Sequence, residues 1–426
     1  MNQVNEKVIE SGGLNLHLVP SNKFKTLNFV VKFKTVLDPT TITRRAILPY
    51  VLRQGTMNYP KRKILQQKLD DLYGAVLSID GTKKGDFHIL TFRMEIPNQR
   101  LLQNESALIE EALEVLNEII NHPKVSKGSF DPKIVDREKE TLKQKINSIM
   151  DDKMSYANIR LIDEMCEDEV YKTHVQGYID DLPELNGESL FTYYQTVLKK
   201  DCMDFYVLGD FDETKMTSSI NSVFHRDEQQ IETHHTTSKK DFQIKPTTIT
   251  EKQEVQQAKL HIGYRTNCTY SDPAYFALHV FNGLYGGFPN SKLFIHVREK
   301  NSLAYYASSR MESHKGLLFV FSGIAPKDFH QAKEIMDQQM TAMKNGEFTE
   351  DEISSVKELI VNQLLETLDH PQGIIEMLYQ QVVANHELPP EKLIENIKKV
   401  RKEDVLQVAK RIQEDTTYLL TNKEEG

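Results

Sequence analysis

Apolar residues alternate with polar ones at Leu14, Leu16 and Leu18, the period of a half-buried strand, and Val8-Ile9 before Ser11-Gly12-Gly13 predicts a strand paired to it. A β-rich run from Leu27 to Val36 follows and stops at Asp38-Pro39. The pattern then turns helical through Ile42, Ala46, Ile47 and Leu52 to Gly55, and again through Ile64, Leu65, Leu69 and Leu72 to Gly74. Ala75 to Ile79 and Phe87 to Ile96 read as a hairpin turning at Lys84-Gly85. Amphipathic helices are expected from Leu108 to Ile120, from Val135 to Met150, and up to Lys200, before the strand Phe205-Tyr206-Val207-Leu208.

The same order returns after a polar stretch. Strand Leu260 to Tyr264 leads to Asp272-Pro273, an apolar helix ends at Gly286-Gly287, and a second helix runs to Lys300. Strands Leu303 to Ser309 and Leu317 to Ser322 turn at Lys315-Gly316. Helices are expected over Ala332 to Met343, Glu352 to Leu368, Ile374 to Ala384 and Val405 to Ile412, and then the strand Tyr418-Leu419-Leu420. Asp38-Pro39 precedes Asp272-Pro273 by 234 residues, and Gly85 precedes Gly316 by 231. Two landmarks at nearly one offset argue for a tandem duplication. The expected fold is α+β: two homologous domains, each a mainly antiparallel sheet with helices packed on one face, facing each other across a cleft. The expected boundaries are 1–224, a linker at 225–253, and 254–426.

Composition narrows the class. The chain has 426 residues, 39% hydrophobic and 27% charged, with a formal charge of −9. Acidic and basic residues are interleaved, without the basic stripe that nucleic acid requires. The longest apolar runs, such as Leu317 to Phe321, fall far short of the roughly 20 residues that span a bilayer. No secretory signal is read at the N-terminus. Cys166, Cys202 and Cys268 are widely spaced, which suits reduced thiols and a cytoplasmic location.

Candidate metal chemistry is sparse. His234-His235 are adjacent, so they do not share a face. His296 and Glu299 stand at i, i+3 with no second histidine after them, and no His-Glu-x-x-His or phosphate loop is present.

The segments Leu293-Phe294-Ile295-His296-Val297-Arg298-Glu299-Lys300, Leu303-Ala304-Tyr305 and Val207-Leu208-Gly209-Asp210-Phe211-Asp212 resemble the pitrilysin/insulinase family, with its smaller processing-peptidase-like members most similar. The resemblance spans essentially the whole chain. It implies a first-half helix carrying His-x-x-Glu-His shortly before Gly-Thr, with zinc on the two histidines and on a glutamate of a later helix. Counting back from Gly55-Thr56 puts that motif on Ala46-Ile47-Leu48-Pro49-Tyr50, and the later acidic pair on Glu138 and Lys145. Alanine has no donor atom, proline cannot act as a base, and lysine opposes a cation. Pro49 further predicts a break in the helix between Ala46 and Val51.

The family resemblance also implies that the second half supplies an Arg and a Tyr to the zinc site, to orient the substrate carbonyl and stabilise its tetrahedral intermediate. Arg298 and Tyr305 match them, with Tyr306 on the opposite strand face. The implied function is therefore that of the zinc-free subunit of a heterodimeric metallopeptidase. The zinc would lie in a homologous partner, peptides would be the substrates, and no cofactor would be bound by this chain. The alternatives are an inert scaffold and a peptide-binding homologue of the same fold.

Overall fold

Two aspartates open corresponding helices in the same way. Asp38 Oδ1 accepts from the Thr40 backbone N–H at 2.8 Å, and Asp272 Oδ1 accepts from the Ala274 N–H at 2.9 Å. Each is an Asx turn that stops a strand and starts a helix. The hairpin glycines also correspond: Gly85 and Gly316 take φ of +54° and +67°, a conformation that side chains resist. The computed structural model describes residues 4–11, 13–102, 107–226 and 244–423, so His234-His235 lie outside the described residues.

By contacts the chain divides into Met1–Asn147 with Thr173–Thr236, and Ser148–Lys172 with Thr237–Gly426. Along the chain run β1 (Lys7–Ser11), β2 (Leu14–Pro20), β3 (Thr26–Val36), α1 (Ile42–Leu52), α2 (Arg62–Asp71), β4 (Val76–Lys84) and β5 (Phe87–Pro97). Then come α3 (Leu108–Asn121), the two-residue strands β6 (Val125–Ser126) and β7 (Ser129–Phe130), α4 (Pro132–Asp151), α5 (Lys153–Met165), α6 (Gly187–Lys200), β8 (Cys202–Gly209) and α7 (Glu213–Val223). The first unit's main sheet has the order β1-β2-β8-β3-β5-β4. Its central strand β3 is buried from Leu27 to Lys34, so both faces are covered. Leu27, Phe29, Val31 and Phe33 share one face, and Asn28, Val30, Lys32 and Lys34 the other.

The second unit contains β9 (Thr247–Lys252), β10 (Ala258–Arg265), α8 (Tyr275–Asn282), β11 (Ala304–Glu312), β12 (Leu317–Ile324), α9 (Phe329–Asn345), α10 (Glu350–Thr367), α11 (Pro371–Ala384), α12 (Pro390–Lys399), α13 (Lys402–Arg411) and β13 (Gln413–Thr421). Its sheet order is β11-β12-β10-β13-β9. Read from the hairpin edge, this repeats β4-β5-β3-β8-β2. The strand senses repeat too: β2 runs parallel to β8 and β9 parallel to β13, while the other corresponding pairs are antiparallel. The duplication is thus present in the topology, and among the described residues β1 has no counterpart in the second sheet.

Three features depart from the sequence expectation. Thr247–Lys252, inside the expected linker, is an edge strand. Five of its six residues are polar and most are exposed, so it carries no hydrophobic alternation to announce it. Residues 148–172 belong to the second unit although the expected boundary lies at 224. Within them, α5 packs Ala157, Leu161 and Met165 against Leu317, Phe319, Phe321, Tyr418 and Leu420, while most of the unit's helices cover the opposite face through Leu318, Val320 and Leu419. Burial on both faces explains the unbroken apolar run Leu317 to Phe321. Gly263 makes room for this helix, since a Cβ there would lie 2.5 Å from Met165 Sδ.

The third departure is Pro49. The expected break is absent, and α1 is helical from Ile42 to Leu52. Proline in a helix costs about 3 kcal/mol. Nine of the eleven residues of α1 are buried, among them Ile47, Leu48, Val51 and Leu52. Fully burying one such side chain contributes about 1.5–3 kcal/mol, so packing holds the helix together across the proline.

Candidate functional site

On α1, the two positions matched to histidine ligands hold Ala46, buried, and Tyr50, half-buried. Pro49, between them, is buried as well. Burial raises the Tyr50 phenol pKa above its ordinary value; Arg53 opposes the rise and the Glu138 carboxylate adds to it. Glu138 therefore stands near Tyr50, on a stripe of α4 shared with Val135, Leu142 and Ile146. Its Oε1 accepts from Arg137 Nε at 2.8 Å and from Nη2 at 2.7 Å. That one carboxylate oxygen is thus engaged by the Arg137 guanidinium. Lys145 is exposed. Among the described residues no group of three or more His, Cys, Asp or Glu side chains could hold a metal ion. The side chains at these positions do not fit zinc.

The other candidates do come together. Arg298 and Tyr305 line one shallow depression of about 470 Å³ in the second unit. Arg298 sits on a π-helical turn, Phe294–Glu299, preceded by another at Gly283–Gly287. Leu293 and Val297 are fully buried and anchor the turn, leaving Arg298 at 42% side-chain exposure. The guanidinium carbon lies 4.6 Å from the Phe294 ring centroid, one helical step behind it. Arg298 Nε also stands 3.5 Å from Glu299 Oε1, a loose contact.

The chain then reverses. Ser302 N–H donates to the Arg298 carbonyl and Leu303 N–H to that of Val297, both at 3.0 Å, with Ser302 held at φ +53°. Strand β11 starts at Ala304, and its register slips there. Ala304 pairs with Ile324 and Tyr306 with Gly323, leaving Tyr305 as an extra residue in a β-bulge. Tyr305 is 79% exposed, so it is not a packed strand tyrosine. Its neighbour Tyr306 faces the other way, half-buried under Lys259 Nζ, and burial pushes its pKa up to about 12. π-turns, bulges and left-handed non-glycine residues are irregularities that concentrate at functional sites, and here all three bracket two side chains.

Sequence reasoning singled out Arg298 and Tyr305 but missed Gln257, Ser302 and Asp328, which line the same depression. Ser302 falls between the two recognised segments without belonging to either, and only the pairing of β10, β11 and β12 brings Gln257 and Asp328 there. Phe294 was legible as a stacking partner from its i−4 spacing to Arg298.

Comparison with known proteins places the chain in a family. Residues 184–360, which include Arg298 and Tyr305 but not α1, match the family model described as Peptidase M16 inactive domain. The chain is 46% identical over 427 residues to the "Probable inactive metalloprotease YmfF" of Bacillus subtilis, covering 100% of this chain and 99% of that one. It is 25% identical over 269 residues, 61% of each chain, to an "Uncharacterized zinc protease YmxG" of the same organism. Among solved structures, a conserved protein from Enterococcus faecalis superposes with a TM-score of 0.89 at 34% identity, covering 99% of this chain and 100% of that one. The chain belongs to the M16, or pitrilysin/insulinase-type, metallopeptidase family, as a degenerate member whose first-half helix lacks the zinc-binding side chains.

Proposed function

We propose that this chain is the zinc-free subunit of a heterodimeric metallopeptidase. In that reading Arg298 and Tyr305 complete the zinc site of a homologous partner bearing His-x-x-Glu-His, and the pair cleaves peptides. The observation that carries it is the contrast between the two halves. One has lost its donor atoms at Ala46 and Pro49, while the other holds Arg298 and Tyr305 exposed on one depression by unusual backbone. A purely structural arginine and tyrosine would gain nothing from a π-turn and a bulge.

The chemistry asked of the pair is modest. A zinc ion held by the partner's histidines and glutamate would supply an activated water. An always-charged guanidinium and a phenol hydroxyl act as donors to the oxygen that becomes negative during attack on the peptide carbonyl. Arg298 is shielded on one side by the Phe294 ring, while the Tyr305 side chain stands exposed beside it. A cytoplasmic location is supported by the wide spacing of Cys166, Cys202 and Cys268, which suits reduced thiols.

Co-expression with a homologous reading frame carrying His-x-x-Glu-His, followed by peptide cleavage assays of each chain alone and of both together, tests the reading. Activity only in the mixture is the expected result. Turnover by the partner alone that this chain does not change would favour an inert scaffold or a peptide-binding homologue instead.

A further inference from the structure

Three strands begin or end at the depression that holds Arg298 and Tyr305. Ile324 near the end of β12 is the register partner both of Ala304 at the start of β11 and of Ala258 at the start of β10. The residue just before Ala258 is Gln257, which lines the same depression and is half-buried. Its Oε1 accepts a hydrogen bond from Lys259 Nζ at 2.6 Å. A lysine ammonium has only donors, so it fixes which end of the amide faces it. The Nε2 group, with two N–H donors, is left on the other side.

Gly323 makes this placement possible. A Cβ there would lie 2.6 Å from Gln257 Oε1 and 2.6 Å from Tyr306 Cε1, so any side chain would displace the amide or the ring. Lys259 is itself held, with its Nζ 5.6 Å from the Tyr306 ring centroid. The amide is therefore oriented by a cation, seated over a glycine and set beside an aromatic ring, a degree of fixation that a solvent-exposed glutamine does not have.

We infer that Gln257 is a third substrate-binding residue of this site, donating from Nε2 to a main-chain carbonyl of an extended peptide beside the one that Arg298 and Tyr305 address. This rests on the subunit reading above. The lining suits a peptide backbone, which offers carbonyls and N–H groups in alternation. Gln257, Arg298 and Tyr305 are donors, and the Glu299 and Asp328 carboxylates on the same depression are acceptors for the N–H groups.

The test uses the reconstituted pair and an unstructured peptide. Gln257→Glu keeps an acceptor for Lys259 and removes the donor, and Gln257→Met removes both while keeping the length. Both variants are expected to lower kcat/KM, mainly through a higher KM, by about two- to tenfold, the effect of one ordinary hydrogen bond. Gel filtration and thermal melting should show normal assembly. Unchanged kcat/KM in both variants, with Arg298→Ala strongly impaired in parallel, overturns the role of Gln257 and leaves the subunit reading standing. If Arg298→Ala is also without effect, the subunit reading fails and this inference falls with it. Impaired assembly with normal turnover per assembled pair likewise overturns it, because that is the mark of a packing residue.

Discussion

His17 lies on β2 between two carboxylates. Its Nδ1 is 2.7 Å from Glu6 Oε1, its Nε2 is 3.3 Å from Asp204 Oδ1, and its ring stacks on Tyr206 at 4.1 Å. Burial alone would lower its pKa, but Asp204 and Glu6 overturn that and raise it to about 9. In the unfolded chain the ordinary value is 6.5. The folded state thus binds the proton more tightly, and the stabilisation is fully present below about 6.5 and is lost as pH rises through about 9. A shift of this size corresponds to on the order of 3 kcal/mol. The lowered Asp204 pKa is the same interaction seen from its partner and is not added to this. His17→Gln is expected to reduce the urea midpoint strongly near pH 6.5 and much less above pH 9. An equal loss at both pH values would show that His17 acts by packing alone.

The same scale marks the limit of what the sequence discloses. The buried Arg45 pairs with Asp201 at 2.6 Å and donates from Nε to His88 Nδ1 at 2.7 Å, yet all three read as ordinary surface residues by type. Their partners are far away in sequence, so no local pattern could have joined them. Arg298 and Tyr305 were legible only because both fall inside recognisable segments.

Among the elements, strong periodicity was easy to read and polarity was not. The helix α3, with a buried stripe from Leu108 to Ile120, matches its expected span. The edge strand β9 escaped because an exposed strand needs no apolar alternation, and the Pro49 break was expected because local propensity was weighed without tertiary burial. The reversal before β11 allows a test at this scale. Ser302 occupies φ +53°, a left-handed conformation that costs a residue with a Cβ on the order of 1–2 kcal/mol and glycine almost nothing. Glycine gains more freedom in the unfolded chain, so Ser302→Gly should stabilise by up to about 1 kcal/mol, a rise of roughly 2–4 °C in Tm. A clear fall in Tm would show that the Ser302 hydroxyl is needed more than the backbone is strained.

At the scale of the whole molecule, the duplication was visible because Asp-Pro and hairpin glycines punctuate both copies at nearly one spacing. The placement of residues 148–172 was not visible, since α5 is amphipathic wherever it packs and only its contacts reveal its unit. The two copies diverged in chemistry while keeping one strand order. Purified chain, dialysed and analysed for metal, is expected to retain no stoichiometric zinc. About one zinc per chain that disappears on altering α1 or α4 would contradict the reading of Ala46, Pro49, Tyr50 and Lys145.

In the proposed heterodimer Arg298 and Tyr305 act on a substrate held at another subunit's metal. The most direct measurement is kcat/KM of the reconstituted pair with Arg298→Lys, which keeps the charge and changes the geometry of the donors. Loss of one such donor lowers turnover by on the order of 10²–10³, and a fall approaching that range is expected, with assembly and partner zinc content unchanged. Normal kcat/KM from correctly assembled Arg298→Lys and Tyr305→Phe pairs would contradict it.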